Sequence, residues 1–181
     1  MGSVVLMLRG INLGASRRIA MPQLRKALGD AGLREVRTYA QSGNVIARWE
    51  LEPGAAEDLA RRTIGDRFGL DAPVVGRTGE ELAAVVASNP LREVATDPKR
   101  HQLSFLSAAL EAPVAERLLG LATADEAIAI RGREIYAWHP DGVARSKLWN
   151  GLAGNGLGVT ATARNWATVM TLLAMAGELE G

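Results

Sequence analysis

The sequence predicts an α+β protein made of two consecutive halves, and three observations carry that reading. Strand-type alternation and helical periodicity follow one another in the order β-α-β-β-α-β through the first half, which is the ferredoxin-like split βαβ order. The second half reads β-α-β-β-α-α. Between them, Asn89-Pro90 and Asp97-Pro98 bracket a polar stretch, the composition of a linker. The expected subdomains are residues 1–91, ferredoxin-like, and residues 92–181, ending in a C-terminal helix.

In the first half, residues 3–9 read as a buried strand around the apolar run Val4-Val5-Leu6-Met7-Leu8. Residues 10–20 form a loop with two glycines, longer than the usual connection of about 2–6 residues. Met21-Pro22 opens a helix with Pro in its first turn; Leu24, Ala27, Leu28 and Ala31 form its stripe and Gly32 ends it. Residues 34–40 and 44–49 are strands joined through Gln41-Ser42-Gly43. A helix follows Pro53-Gly54 and stops near Phe68 before Gly69, and residues 72–77 are a short strand. Thr78-Gly79-Glu80-Glu81 has the T-x-x-E capping pattern, so a further helix runs to about Ser88. Glu57 and Asp58, like Glu80 and Glu81, fall where carboxylates favour a helix start.

In the second half, residues 101–107 are a strand and 112–121 a helix. Residues 126–131 and 134–138 alternate around Gly132 and read as a hairpin. Residues 146–153 form a short helix broken by Gly154-Asn155-Gly156. The last helix spans residues 164–178, with Trp166, Val169, Met170 and Leu173 on one stripe and Thr162 as its N-cap.

The 181 residues suffice for one large domain or two small ones. An apolar fraction of 48% argues for a globular chain, and aromatics at 4% imply an aliphatic core. Net charge is +1, far from the basicity of a nucleic-acid coat protein. With no Cys, disulfides, thiolate metal sites and Cys nucleophiles are excluded. His101 and His139 are isolated, without metal-ligand spacing, and no G-x-S-x-G elbow is present. No segment reaches the roughly 18 apolar residues of a membrane span. The expectation is a cytoplasmic protein with neither a metal nor a cofactor.

Chemistry concentrates in four polar clusters. Arg9-Gly10-Ile11-Asn12 ends the first strand, where a Gly-bearing loop brings backbone N–H groups close to an anion. Ser42 and Asn44 lie in the next loop. Arg145-Ser146-Lys147 opens the short helix, with Ser146 as candidate cap. Arg164, Asn165 and Trp166 open the last one. A cation in a first helical turn opposes the macrodipole, so Arg164 and Lys147 call for an offsetting anion or a salt bridge. Arg9, Arg145, Lys147 and Arg164 would neutralise charge, Asn12, Ser42, Asn44 and Asn165 would orient a ligand, and Trp166 would wall the pocket or anchor the core.

These segments, in this order, resemble a bacterial family catalogued as domain of unknown function 1697. The stretches that carry the resemblance are Leu8-Arg9-Gly10-Ile11-Asn12-Leu13-Gly14, Thr38-Tyr39-Ala40-Gln41-Ser42-Gly43-Asn44-Val45, Asn89-Pro90, Arg145-Ser146-Lys147-Leu148 and Thr162-Ala163-Arg164-Asn165-Trp166-Ala167-Thr168-Val169. Two positions depart from the family's pattern: Leu91 stands where Phe follows Asn-Pro, and Ala167 where Asn precedes the Thr-Val pair. The resemblance implies a ferredoxin-like N-terminal part and assigns no activity.

The function expected from the residues is binding of a small anionic, phosphorylated ligand in a basic, amide-lined cleft between the two halves. No general base or nucleophile stands out, so the sequence assigns no reaction. A nucleic-acid-binding module is the first alternative, weakened by the absent RNP1 pattern and by only four Trp, two Tyr and two Phe. A protein that docks a partner through its Leu- and Met-rich C-terminal helix is the second.

Overall fold

The computed structural model describes residues 2–14, 18–153 and 155–181. In order the elements are β1 (Gly2–Leu8), α1 (Met21–Asp30), β2 (Arg34–Tyr39), β3 (Asn44–Trp49), α2 (Pro53–Phe68), β4 (Val74–Thr78), α3 (Gly79–Ala87), β5 (His101–Leu106), α4 (Ala112–Leu119), β6 (Ala127–Arg131), β7 (Glu134–Trp138), α5 (Lys147–Ala153), β8 (Ala161–Asn165) and α6 (Trp166–Glu180). They form two four-stranded antiparallel sheets of the same order, β2-β3-β1-β4 and β6-β7-β5-β8. The compact units are Met1–Ala84 with Thr171–Gly181, and Val85–Met170. The chain therefore divides within α3 and α6, whereas the polar stretch pointed to residue 91.

The first unit is built as its pattern dictates. Val4, Leu6 and Leu8 of β1 share one face and pack with Leu24 and Leu28 of α1 and Ala56, Ala60 and Ile64 of α2. The alanines let α2 lie close to the sheet. Helix α2 starts on Pro53 and stops at Gly69, whose left-handed φ of 64° lets its N–H reach Gly65 O at 2.9 Å. The capping box at α3 is reciprocal: Glu81 N–H donates to Thr78 Oγ1 at 3.0 Å and Thr78 N–H to Glu81 Oε2 at 2.9 Å. Glu57 does not cap α2. It lies one turn further in, and its Oε1 accepts the Gly76 N–H of β4 at 2.5 Å. Two carboxylates near the end of α6 tie back to this unit, Glu180 Oε1 to Ser3 Oγ at 2.6 Å and Glu178 Oε2 to Arg37 Nη1 at 2.7 Å.

The second unit has its own core of Leu106, Leu118, Ile135, Ala137, Leu148, Leu152, Leu157 and Ala161. Its order is β-α-β-β-α-β followed by a helix, one strand more than expected. Residues 161–165, read as a cap and a helix start, are strand β8, registered against β5 with Leu103 opposite Arg164 and Phe105 opposite Thr162. Helix α6 begins only at Trp166, where Asn165 Oδ1 accepts the Thr168 N–H at 2.9 Å. Asn165, not Thr162, is the N-cap. The open edge of β5 offers this short Ala-Thr-Ala segment a ladder, and pairing overrides the helical propensity of its alanines.

Candidate functional site

The first two polar clusters meet in the first unit, and their side chains hold the loops. Asn12, at φ 55°, accepts Ile19 N–H on Oδ1 at 2.8 Å and donates Nδ2 to Gln41 O at 2.7 Å and to Ile19 O at 3.2 Å. The Asn side chain thus closes the long loop and staples it to the β2–β3 turn. Asn44 is fully buried and donates Nδ2 to Tyr39 O at 2.9 Å and Ser42 Oγ at 3.1 Å. Gly43 O accepts Leu8 N–H, and Arg9 N–H reaches Pro73 O. A Cβ on Gly43 would stand 2.7 Å from Ile11 Cδ1 and 2.8 Å from Leu8 Cβ. With φ at 81°, only glycine fits there.

The third cluster is organised by two residues that the sequence left without partners, Glu126 and His139. Ser146 caps α5, its Oγ accepting the Trp149 N–H at 3.0 Å, and donates its own proton to Glu126 Oε1 at 2.5 Å. Glu126 Oε1 also lies 3.0 Å from Nδ1 of the buried His139, and Oε2 accepts the Thr123 N–H at 3.1 Å. Burial acts to raise the Glu126 carboxyl pKa, but the hydrogen bonds from Ser146, His139 and Thr123 outweigh it and hold the group below its ordinary value. A carboxylate so stabilised is a weak base. Because the serine proton points at this carboxylate, not at an imidazole, the trio is a scaffold and not a nucleophile-activating relay. The His139 ring meets Trp149 edge-on, centroids 6.0 Å apart. These partners are 13 and 20 residues apart in sequence, so no local motif announces them.

Beside this scaffold lies a cavity of about 530 Å³, within the range of small-molecule sites. Arg145, Ser146 and Lys147 line it with Thr123, Glu126 and Asp141. Arg145 and Lys147 are exposed on either side of buried Ser146. The lining does not include Arg164, Asn165 or Trp166.

Those three residues sit on the β8–α6 junction. Arg164 lies outside the helix, so the macrodipole argument does not apply to it. Its Nη1 donates to Thr162 Oγ1 at 2.7 Å and to Ala163 O at 2.8 Å. Desolvation lowers the guanidinium pKa to about 10, still charged at neutral pH. Trp166 stacks on His101, with ring centroids 4.6 Å apart and planes 12° from parallel. His101 is buried on β5, and desolvation lowers its pKa to about 4. Among the described residues the Nε2 atoms of His101 and His139 have no hydrogen-bond partner, and no group of His, Asp and Glu is placed to hold a metal. No helix among them is long and apolar enough to cross a membrane.

Two antiparallel sheets of the same split-βαβ order define this chain as an α+β protein of two ferredoxin-like halves. The conserved bacterial protein SP0830 from Streptococcus pneumoniae shares that fold, with a TM-score of 0.79 and 20% identity over 96% of this chain and 98% of that one. The chain belongs to the protein family of unknown function DUF1697, whose profile matches residues 1–136. No curated protein matches the sequence.

Proposed function

We propose that the protein binds a small anionic ligand, a phosphate ester or carboxylate, in the cavity of its second unit. The observation that carries this reading is the pair of exposed cations, Arg145 and Lys147, lining one cavity on either side of a buried, fully engaged serine. Glu126 is held by three internal donors, which leaves Arg145 and Lys147 as the exposed cations of that wall, beside the carboxylate of Asp141. A guanidinium supplies a planar fork for a phosphate or carboxylate, and an ammonium adds a mobile point charge. Thr123 and Asp141 on the same wall can accept hydroxyl groups of the same ligand. Of the ten residues expected to bind, Arg145 and Lys147 are assigned to the ligand. Ser146 holds their frame, and Asn12 and Asn44 hold loops of the first unit. The absence of cysteine supports a reducing, cytoplasmic setting.

The test is a thermal-shift panel of phosphate, sulfate, sugar phosphates, nucleotides, dicarboxylates and short oligonucleotides. A specific ligand at about 100 times its Kd stabilises by roughly 2.7 kcal/mol, a shift of about 5–10 °C at this size. The shift is expected to vanish in Arg145→Ala and Lys147→Ala and to persist in Arg164→Ala. A shift that survives in both of the first two variants sinks the assignment. A shift with oligonucleotides alone, steeply salt-dependent, replaces it with nucleic-acid binding.

A further inference from the structure

The two sheets expose four edge strands, β2, β4, β6 and β8, and three of them carry a device that blocks further pairing. In β2, Glu35 takes φ 49° and the ladder loses register between Arg34 and Arg37. In β4, Val74, Gly76 and Thr78 face outward; at the central Gly76 the N–H is taken by Glu57 and the C=O by Arg77 Nη1 at 2.7 Å, and the Thr78 N–H is taken by Glu81. In β8, the outward C=O of Ala163 is taken by Arg164 Nη1. Side chains or a bulge on an edge are the ordinary protection against strand addition.

Strand β6 has none of these. Its sequence is Ala-Ile-Ala-Ile-Arg, without Pro or irregularity, in unbroken register with β7. The β6–β7 connection is a two-residue turn with Gly132 at φ 55°. In such a hairpin the pair flanking the turn is hydrogen-bonded and the pairs then alternate. Arg131, Ala129 and Ala127 therefore bond to β7, and the N–H and C=O of Ile128 and Ile130 point away from the sheet. Among the described residues nothing accepts or donates to them.

We propose that this edge is a dimerisation surface. Two copies of the chain pair their β6 strands antiparallel about a two-fold axis at Ala129 and join their sheets into one of eight strands. The edge is self-complementary in this register. Ile128 of one copy stands opposite the partner's Ile130, twice over, so all four outward N–H and all four outward C=O groups meet a partner at hydrogen-bonding spacing. A shift by two residues in either direction leaves Ile128 or Ile130 facing Gly132 or Glu126 and loses that match. The apolar faces agree as well. Ile128 and Ile130 are only half-buried against the second core, and pairing lays four isoleucines side by side. Helix α4 packs on β6, and Leu119 at its end is 49% exposed. The two-fold keeps both α4 helices on the same side of the joined sheet.

The test is sedimentation equilibrium of the full chain. Ala129 lies at the axis on the face away from the core, where the two Cα atoms would approach to about 4.5 Å. Ala129→Lys and Ala129→Glu place like charges there. Each is expected to weaken the dimer at least about tenfold, and an equimolar mixture to restore it as a heterodimer. Hydrogen exchange reads the same edge without a variant: on concentrating the wild type, the Ile128 and Ile130 amides should slow while those of Ala127 and Ala129, already paired with β7, stay as they were. A wild type that remains monomeric up to about 1 mM, the weak end of specific association, overturns the proposal. So does a dimer that both variants leave intact, or one that forms with the Ile128 and Ile130 amides still exchanging freely.

Discussion

Strands β1 and β5 occupy equivalent places, each central in a sheet of the same order, yet the two units fix their turns and caps over different ranges of sequence. In the first unit the hydroxyl of Thr78 caps a helix and is answered by Glu81, three residues on. In the second the hydroxyl of Ser146 caps a helix and is answered by Glu126, 20 residues back and backed by His139. The first unit brings two loops together through Asn12 and Gly43, whereas the second joins β6 to β7 through a two-residue turn. One topology thus tolerates either local or distant polar pairing. The difference shows that strand order follows from apolar alternation and that polar pairs settle the details.

The largest effect expected in testing this contrast is at Gly43. Gly43→Ala drives a Cβ into Ile11 and Leu8 at a positive φ, and should lower stability by about 3 kcal/mol in a urea melt. A cost under about 1 kcal/mol would mean that the two loops give way easily.

His101, in the second unit only, should make stability fall on acidification. Its folded pKa of about 4 lies below the ordinary 6.5, so between those values the unfolded chain binds the proton and the fold does not. Stability is then complete above about pH 6.5 and is lost progressively down to about pH 4, on the order of 3 kcal/mol. His101→Phe keeps a ring against Trp166 and should flatten denaturation midpoints across that window. Glu126, held below its ordinary value, contributes stability above the unfolded carboxylate range and loses it only as pH falls through its lower folded pKa. Its loss therefore extends further into acid and survives in His101→Phe.

The two capping hydroxyls give the direct comparison. Ser146→Ala removes a cap and a donor from a nearly buried carboxylate and should cost about 2 kcal/mol. Thr78→Ala removes a cap but leaves the half-buried Glu81 carboxylate its bond from the Thr78 N–H, and should cost about 1 kcal/mol. Equal costs would mean that the Glu126 contact adds nothing. Smallest is Lys26→Ala, which breaks an exposed i,i+4 pair with Asp30 at 2.8 Å; a melting shift equivalent to more than about 0.5 kcal/mol would be unexpected.

The α+β class, the split-βαβ order of the first half and the capping box at Thr78 were legible because each rests on local period or spacing. Strand β8 was not. Five residues of Ala, Thr, Arg and Asn show neither a clear period of two nor a buried stripe, and only β5 makes them a strand. Missing β8 also misplaced Arg164, which looked like a cation in a first helical turn and is instead bonded back to its own strand. Ser146 as a cap and the Arg145–Lys147 pair were readable from the helix start. Glu126 and His139 were not, since their partners are distant in sequence and each residue looks solitary in isolation.

Helix α6 leaves the second unit at Met170, and its remaining residues, Thr171–Gly181, complete the first. On a ribosome, then, the unit that emerges first is finished last. While Val85–Met170 is being translated, Ser3 still lacks Glu180 and Arg37 still lacks Glu178. All four strands of the first sheet are made by Thr78, but their ties to Glu178 and Glu180 form only after the whole second unit has been translated.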